Sequence, residues 1–493
     1  MASPLSRLLA EPAQFPWFAQ RRWTPWLVVG LVSLGAFIGQ LDATIVQLAL
    51  PTLGRSFGAS LQAVSWVALA YLLAFAAFLP VFGRLCEMLG RKSLYLAGFG
   101  LFSVATVLCG MADSLPGLIG YRVLQGIGGA LLGANSIAVL VATVPAASRG
   151  RAMGYFAGAQ AVGMSAGPAL GGVILDSFGW RWIFWVTVPF GLVAMLVGLA
   201  ALPPSTRPTG RTGFDWLGAT LIGPALILVV LSLNHAVSWG VTSPLTLGCV
   251  AGAGLLLWML WHREGRTGSP LIDPRLYRSP GFRSGAVAVA FAYALLYGIF
   301  FLMSFAQEHG YGESPAQAGL RLAIIPVALG LTAPFSHDIA ARIGTLRIGM
   351  VAMVLCLVCI ALLGIAAGQP ADHRIIDPIA YALAGVGLGL FIAPNNTTTI
   401  GAAPAELSGS AGAQLNLMRV LGTSLGVAAG ATMLSWRLDA ETGAGADWMT
   451  THGGSLLAAF QGSLPVLAVL ALGAAIAARL AATSAPPALE DGR

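Results

Sequence analysis

Apolar positions in this chain come in long unbroken blocks separated by short polar intervals. Neither the two-residue alternation of a half-buried strand nor the narrow stripe of a soluble helix organises them. Fourteen blocks each approach or exceed the roughly 20 residues that a bilayer-crossing helix needs. In the first half of the chain they are Trp26–Leu50, Leu61–Phe82, Leu94–Ala112, Leu115–Val141, Ala152–Leu175, Trp182–Leu202 and Trp216–Asn234. In the second half they are Leu245–Trp261, Ala286–Ala306, Ala316–Phe335, Ile348–Ala367, Pro378–Thr398, Gly409–Leu434 and Leu456–Ala481. The pattern predicts an all-α polytopic membrane protein with 14 transmembrane helices.

The polar intervals are too short to hold a sizeable soluble domain, and the two longest on one side divide the helices. One runs from 203 to 215, the other from 263 to 283, giving six helices, an inserted pair, then six. The expected organisation is an N-terminal segment (1–25), a six-helix bundle (26–202), the inserted pair with its linkers (203–283), a second bundle (284–482) and a tail (483–493). Two pseudo-symmetric six-helix bundles follow from the repeat architecture of many secondary transporters. Composition adds only weight to this picture: 57% of residues are hydrophobic and 9% charged, whereas a soluble domain carries about 25% charged residues.

Charge placement sets the topology. The excess of Lys and Arg gives a sequence pI near 9.5, but these residues do not form a nucleic-acid patch. With both termini in the cytoplasm, 19 of the 26 fall on the inner side, among them Arg21, Arg22, Arg84, Arg91, Lys92, Arg149, Arg151, Arg263 and Arg266. The positive-inside rule therefore places both termini in the cytoplasm and the protein in the cytoplasmic membrane, with anionic lipid as a surface partner. No nucleic-acid partner is expected. No cleavable signal is read in residues 1–25, and Trp17, Trp23 and Trp26 suit the headgroup level.

Ionisable residues inside the blocks carry the chemistry, because each costs at least a few kcal/mol in hydrocarbon unless paired or hydrated. Asp42 lies roughly 12 Å from the outer end of the first block and Arg122 roughly 10 Å from the outer end of the fourth, at 1.5 Å per residue. At that common depth they could pair, either to exchange a proton or simply to brace the bundle. Arg419, with Asn416 and Gln414 nearby, either lines a hydrated cavity or bonds carbonyls where a helix is broken. Asn395 and Asn396 are expected to bond between helices. On the fifth block, Gly163, Gly167, Gly171 and Gly172 form a small-residue face interrupted by Pro168, which suits a hinge or a close sliding contact.

Several chemistries find no support. No phosphate-binding loop, His-rich metal motif or catalytic constellation is present, so no cofactor, no metal and no enzymatic activity are expected. The five cysteines, including the Cys356–Cys359 pair, read as packing residues without disulfides.

At these residues the chain resembles the major facilitator superfamily, specifically its fourteen-helix drug/proton antiporter branch. Gly83-Arg-Leu-Cys-Glu87-Met-Leu-Gly90-Arg91-Lys92 resembles the signature between the second and third helices, with Glu87 at the usual Asp. Leu41-Asp42-Ala-Thr44 through Gln47 to Pro51 resembles the first-helix motif, with Gln47 at the usual Asn. Arg122-Val-Leu-Gln125-Gly126 resembles the fourth-helix motif, and Gly163–Gly172 the antiporter motif. Trp180 to Pro189 and Asp215 to Gly218 are similar to the stretches that follow. In the second half Gln307, Gln317 to Gly319, Pro326 and Arg419 to Gly426 fit the pattern. The second copy of the linker signature is degraded, with His337 at the usual Gly and Ala341 at the usual acid.

The resemblance implies alternating access. Asp42 and Arg122 would handle protons, and Gly83, Glu87, Gly90, Arg91 and Lys92 would form a conformational latch. Gln47, Gln125, Asn416 and Arg419 are the candidates for the substrate cavity. The implied activity is proton-driven antiport exporting lipophilic compounds or drugs, cations among them. Its partners are the small-molecule substrate, protons and lipid; in a host with an outer membrane, a periplasmic adaptor and an outer-membrane channel would join them. Two alternatives stay open: an exporter of one endogenous product such as a siderophore, lipid or antibiotic, and a non-transporting receptor or sensor on the same scaffold.

Overall fold

A computed structural model describes residues 11, 13–205, 214–240, 242–267, 270–443 and 448–483; the side chain of Glu87 lies outside the described set. Among the described residues, fourteen helices are long and apolar enough to cross a membrane. They are α1 (Thr24–Phe57), α2 (Leu61–Leu89), α3 (Arg91–Gly110), α4 (Leu115–Thr143), α5 (Arg149–Phe178), α6 (Arg181–Ala201) and α7 (Trp216–Trp239). Then follow α8 (Pro244–Glu264), α9 (Pro280–Gly310), α10 (Pro315–Ile343), α11 (Thr345–Gly368), α12 (His373–Gly401), α13 (Ser408–Thr442) and α14 (Gly453–Thr483). We call the face that carries Thr24 and Thr483 the inner face.

Local chemistry fixes the helix starts. Ser114, Ser243, Ser279 and Ser314 each accept a bond from the backbone N–H three residues on, and each is followed within two residues by proline. The serine satisfies one orphan donor of the first turn, and proline sits where no N–H is needed. At Ser314 the cap is reciprocal, with the Gln317 side chain returning a bond to the Ser314 N–H.

One boundary differs from the hydropathy reading. α1 passes through Pro51 and continues for two turns past Leu50, so Asp42 lies about 22 Å from its outer end. Those outer turns are held by tertiary contact: the Trp448 ring lies under Gly54, and its indole N–H donates to the Ala59 carbonyl at 2.9 Å.

The helices pack in two series that repeat. α1 pairs most extensively with α5 as α9 does with α13; α2 pairs with α4 as α10 does with α12; and α3 packs on α4 as α11 does on α12. The two series meet through α2 against α13 and α5 against α10, while α7 touches both α2 and α13. α8 leans chiefly on α7, and only 17% of its apolar window is buried inside the protein. This pair is therefore peripheral. At its inner end Asp215 caps α7 through the Gly218 N–H at 3.0 Å and accepts from Arg263 at 3.2 Å.

Bridges between the two series gather at the outer ends. Glu308 of α9 accepts from Arg55 at 3.1 Å and from Thr52 at 3.2 Å, and Gln62 of α2 donates to Ser435 of α13 at 2.5 Å. On the same side Gly319 of α10 rests on the Pro168 carbonyl and on Gly172 of α5. These contacts hold the outer ends of the two series together.

Candidate functional site

A buried ion pair ties α1 to α4. Asp42 Oδ2 accepts from Arg122 Nη1 at 2.7 Å, and Asp42 Oδ1 accepts from Gln125 Nε2 at 2.8 Å. Gln125 lies one turn beyond Arg122 on the same helix, so both reach the same carboxylate. The Arg122 Nε donates to the Val67 carbonyl of α2 at 2.9 Å, and its guanidinium stacks on Tyr71, 4.4 Å from the ring centre. Gln125 also donates to Thr106 of α3 at 2.8 Å. Asp42 and Arg122 are each 1% exposed and Gln125 fully buried. Both carboxylate oxygens are satisfied and the charges cancel, which is the condition for keeping ions in a dry interior. Gln47, further along α1, is buried as well, with its carbonyl oxygen unpartnered.

At the inner end of α2 and α3, Gly90 has φ +107°, a left-handed backbone that other residues adopt only with strain. Gly83 faces open space. Gly90 also leaves α3 without a side-chain cap of its own. The cap comes from elsewhere in the chain. Ser205 Oγ accepts from the N–H groups of Arg91 (2.8 Å) and Lys92 (3.1 Å), while Glu11 accepts from Lys92 N–H (2.9 Å) and Ser93 N–H (3.3 Å). A carboxylate at a helix N-terminus is favoured by the exposed N–H groups and the helix dipole. Lys92 Nζ, buried, donates to the Leu202 carbonyl at the end of α6 at 2.6 Å, the complementary arrangement at a C-terminus. Glu87 lies outside the described side chains. Glu11 carried no motif; the only signal was a helix start with glycine at its cap.

The glycine row of α5 forms two contacts at once. Side chains at Gly163, Gly167 and Gly171 would collide with Phe37, Thr44 and Ile45 of α1, and one at Gly172 with Pro315 of α10. Pro168 offers its carbonyl to Gly319 of α10. The small residues thus place α5 between α1, which bears Asp42, and the second series.

Arg419 belongs to α13, which is unbroken around it. Its Nε and Nη2 donate to Asn416 Oδ1 at 3.0 and 2.6 Å, and its guanidinium lies 5.9 Å from the Tyr293 ring of α9. Both Arg419 and Asn416 are half-buried. Asn395 donates to the Gly285 carbonyl between α12 and α9 at 3.1 Å.

A polar cluster at the outer end of the second series was not anticipated. The last turn of α9, Ala306–Gly310, is a π-helical turn, a distortion that turns Gln307 toward α12, where it donates to Asp377 Oδ2 (2.7 Å) and to Tyr381 (2.8 Å). Beside it Glu313 pairs with Arg321 at 2.7 Å and contacts His373 Nε2 at 3.0 Å, and the Tyr311 ring stacks on His373 at 4.1 Å. In the loop, burial pushes the Tyr311 phenol above its usual range. Hydropathy hid this cluster because its acids stand at block edges, where they look like loop residues.

The sequence model of the Major Facilitator Superfamily matches residues 32–427. The riboflavin transporter RibZ of Clostridioides difficile (strain 630) is 29% identical over 82% of this chain and 87% of its own length. The tetracenomycin C resistance and export protein of Streptomyces glaucescens is 30% identical over 85% of this chain and 77% of its own. Multidrug resistance protein Stp of Mycobacterium tuberculosis (strain ATCC 25618 / H37Rv) is 29% identical over 84% and 76%. Among solved structures, the chain is similar to a bacterial homologue of the human lysosomal transporter Spinster in an inward-facing, unoccupied conformation. The TM-score is 0.68 at 16% identity, covering 95% of this chain and all of that one. A D-xylose-proton symporter matches with TM-score 0.60 at 16% identity, over 89% and 96%.

Proposed function

This chain belongs to the Major Facilitator Superfamily, and we propose that it is a proton-driven antiporter of the fourteen-helix drug-export branch, carrying lipophilic organic compounds out across the cytoplasmic membrane. The Asp42–Arg122 pair carries this reading. A buried ion pair contributes little to stability compared with well-packed apolar side chains, so its presence between the interiors of α1 and α4 points to a task. Protonating Asp42 removes one charge and leaves Arg122 with its Val67, Gln125 and Tyr71 contacts. The link between α1 and α4 is weakened by that step while the rest of the network holds. Because α1 also packs on the glycine row of α5, and α5 on α10, a shift of α1 reaches the contact between the two series.

In this reading the two six-helix series rock about a central site, protons flow inward and the compound leaves. The inner linker with Gly83, Glu87, Gly90, Arg91 and Lys92 stabilises one end state, and both termini face the cytoplasm. A proton crossing 100 mV supplies about 2.3 kcal/mol, equivalent to roughly a fifty-fold concentration gradient. Relatives whose names specify one compound, riboflavin or tetracenomycin C, favour a second reading in which the chain exports a single product by the same mechanism.

The test is pH-gradient-driven transport in proteoliposomes. Wild-type protein should accumulate or expel a fluorescent lipophilic substrate in response to an imposed gradient, and Asp42→Asn should lose that response while still binding the compound. A gradient-driven flux unchanged by Asp42→Asn would place the coupling elsewhere.

A further inference from the structure

The charge on Arg419 narrows the substrate class. Arg419 lies 11 residues from the start of α13, about 16 Å along the helix from the inner end, within the membrane. Among the described residues no carboxylate lies within salt-bridge distance of it. Its side-chain bonds go to the neutral carbonyl of Asn416, and among the described residues Nη1 has no hydrogen-bond partner. The contrast with Arg122 is direct: that guanidinium is 1% exposed and neutralised by Asp42, whereas Arg419 is half-buried and uncompensated. Tyr293 of α9 stands 5.9 Å from the guanidinium, and α13 packs against both α9 and α2. Arg419 therefore turns toward α9 rather than toward lipid.

Two consequences follow for anything bound there. The Arg419 guanidinium presents a net positive charge there, since among the described residues no carboxylate neutralises it. The Tyr293 face that could hold a cation is also engaged, by the Arg419 guanidinium at 5.9 Å. A cationic compound would meet like charge and a capped ring. An acid would meet the opposite: a planar guanidinium suits bidentate pairing with a carboxylate, and a flat aromatic body can lie against Tyr293.

We propose that the export site selects flat aromatic compounds bearing an ionised acid group, with Arg419, positioned by Asn416, as the residue that reads the charge. This rests on the transporter reading and narrows the lipophilic compounds, cations among them, that the family resemblance implies.

The experiment is equilibrium binding to purified full-length protein in nanodiscs, without a proton gradient, using three probes with one ring system. These are 9-anthracenecarboxylate, its methyl ester and 9-anthracenemethylammonium, read by intrinsic fluorescence. The carboxylate should bind at least tenfold more tightly than the ammonium. Arg419→Gln should reduce carboxylate affinity tenfold or more and leave the ester within twofold. Asn416→Asp, which places a carboxylate on Arg419, should abolish the preference for the acid even if Arg419→Gln fails to fold. Equal or tighter binding of the ammonium, an equal loss for ester and acid, or no binding by any probe would overturn the proposal. Failure of gradient-driven transport with this selectivity intact would instead count against proton coupling alone.

Discussion

The two helix series repeat each other's packing but treat buried carboxylates in opposite ways. In the first, Asp42 has both oxygens bonded and its charge matched by Arg122. In the second, Glu308, Glu313 and Asp377 are all buried, and each retains one oxygen without a partner. A carboxylate satisfied on both sides resists rearrangement; one held by a single oxygen loses less when its surroundings open and water replaces the missing donor. Glu308 adds the geometry. Its bonded oxygen reaches across to Thr52 and Arg55 of α1, so it belongs to the outer closure itself. In the proposed mechanism the two regions do different work: the first series holds the Asp42–Arg122 pair dry, and the second holds an outer contact that can part.

The largest expected effect comes from breaking the satisfied side. Arg122→Leu leaves Asp42 without its cation and should destabilise the folded state by about 3–5 kcal/mol unless the carboxyl takes up a proton. Denaturant unfolding in detergent at pH 7 and pH 5 measures this, with the deficit shrinking at the lower pH. Replacing both partners, Asp42→Leu with Arg122→Leu, should cost little stability and still eliminate gradient-driven transport. Full stability loss in the double variant would make the pair a brace.

Next comes the contact between α5 and α10. Gly319→Ala places a methyl against the Pro168 carbonyl, where neither backbone can yield. Overpacking of this kind costs about 1–3 kcal/mol and should open the outer side, raising the reactivity of cysteines introduced near Thr52 toward an impermeant thiol reagent. Gly158→Ala, on the same α5 with nothing within 4 Å, should leave that reactivity unchanged.

A smaller shift is expected from Glu308→Gln, which keeps an oxygen for Thr52 and removes the charge facing Arg55. Distances between spin labels on the outer ends of α1 and α9 should show a few-fold gain in the open population. The smallest effect belongs to Glu11→Ala, which uncaps α3 and should cost about 1 kcal/mol, read as a lower unfolding midpoint with binding retained.

Much of this architecture was legible because a bilayer permits few solutions. With no water to bond the backbone, each apolar block must be a helix, and charged residues such as Asp42, Arg122 and Arg419 stand out within such blocks. What escaped the sequence depended on contacts far apart in the chain. α1 continues past Pro51 because Trp448 covers its end, and nothing local to Pro51 announces that. Asp377 stands one residue ahead of an apolar block and Glu313 in a short interval, so both resembled loop charges until α9, α10 and α12 enclosed them. Glu11 became a helix cap only because the linker after α6 brings Ser205 to the same place. Gln125 carried a cavity expectation, yet its position one turn from Arg122 draws it into the ion pair.

The central claim is that Asp42 is the group that takes and gives up the transported proton. Its most direct measurement is proton release by purified protein in lightly buffered detergent solution when a bound-state substrate is added, followed with a pH dye. Wild-type protein should release protons on saturation and Asp42→Asn should release none while binding with comparable affinity. Equal release by both proteins would contradict the account.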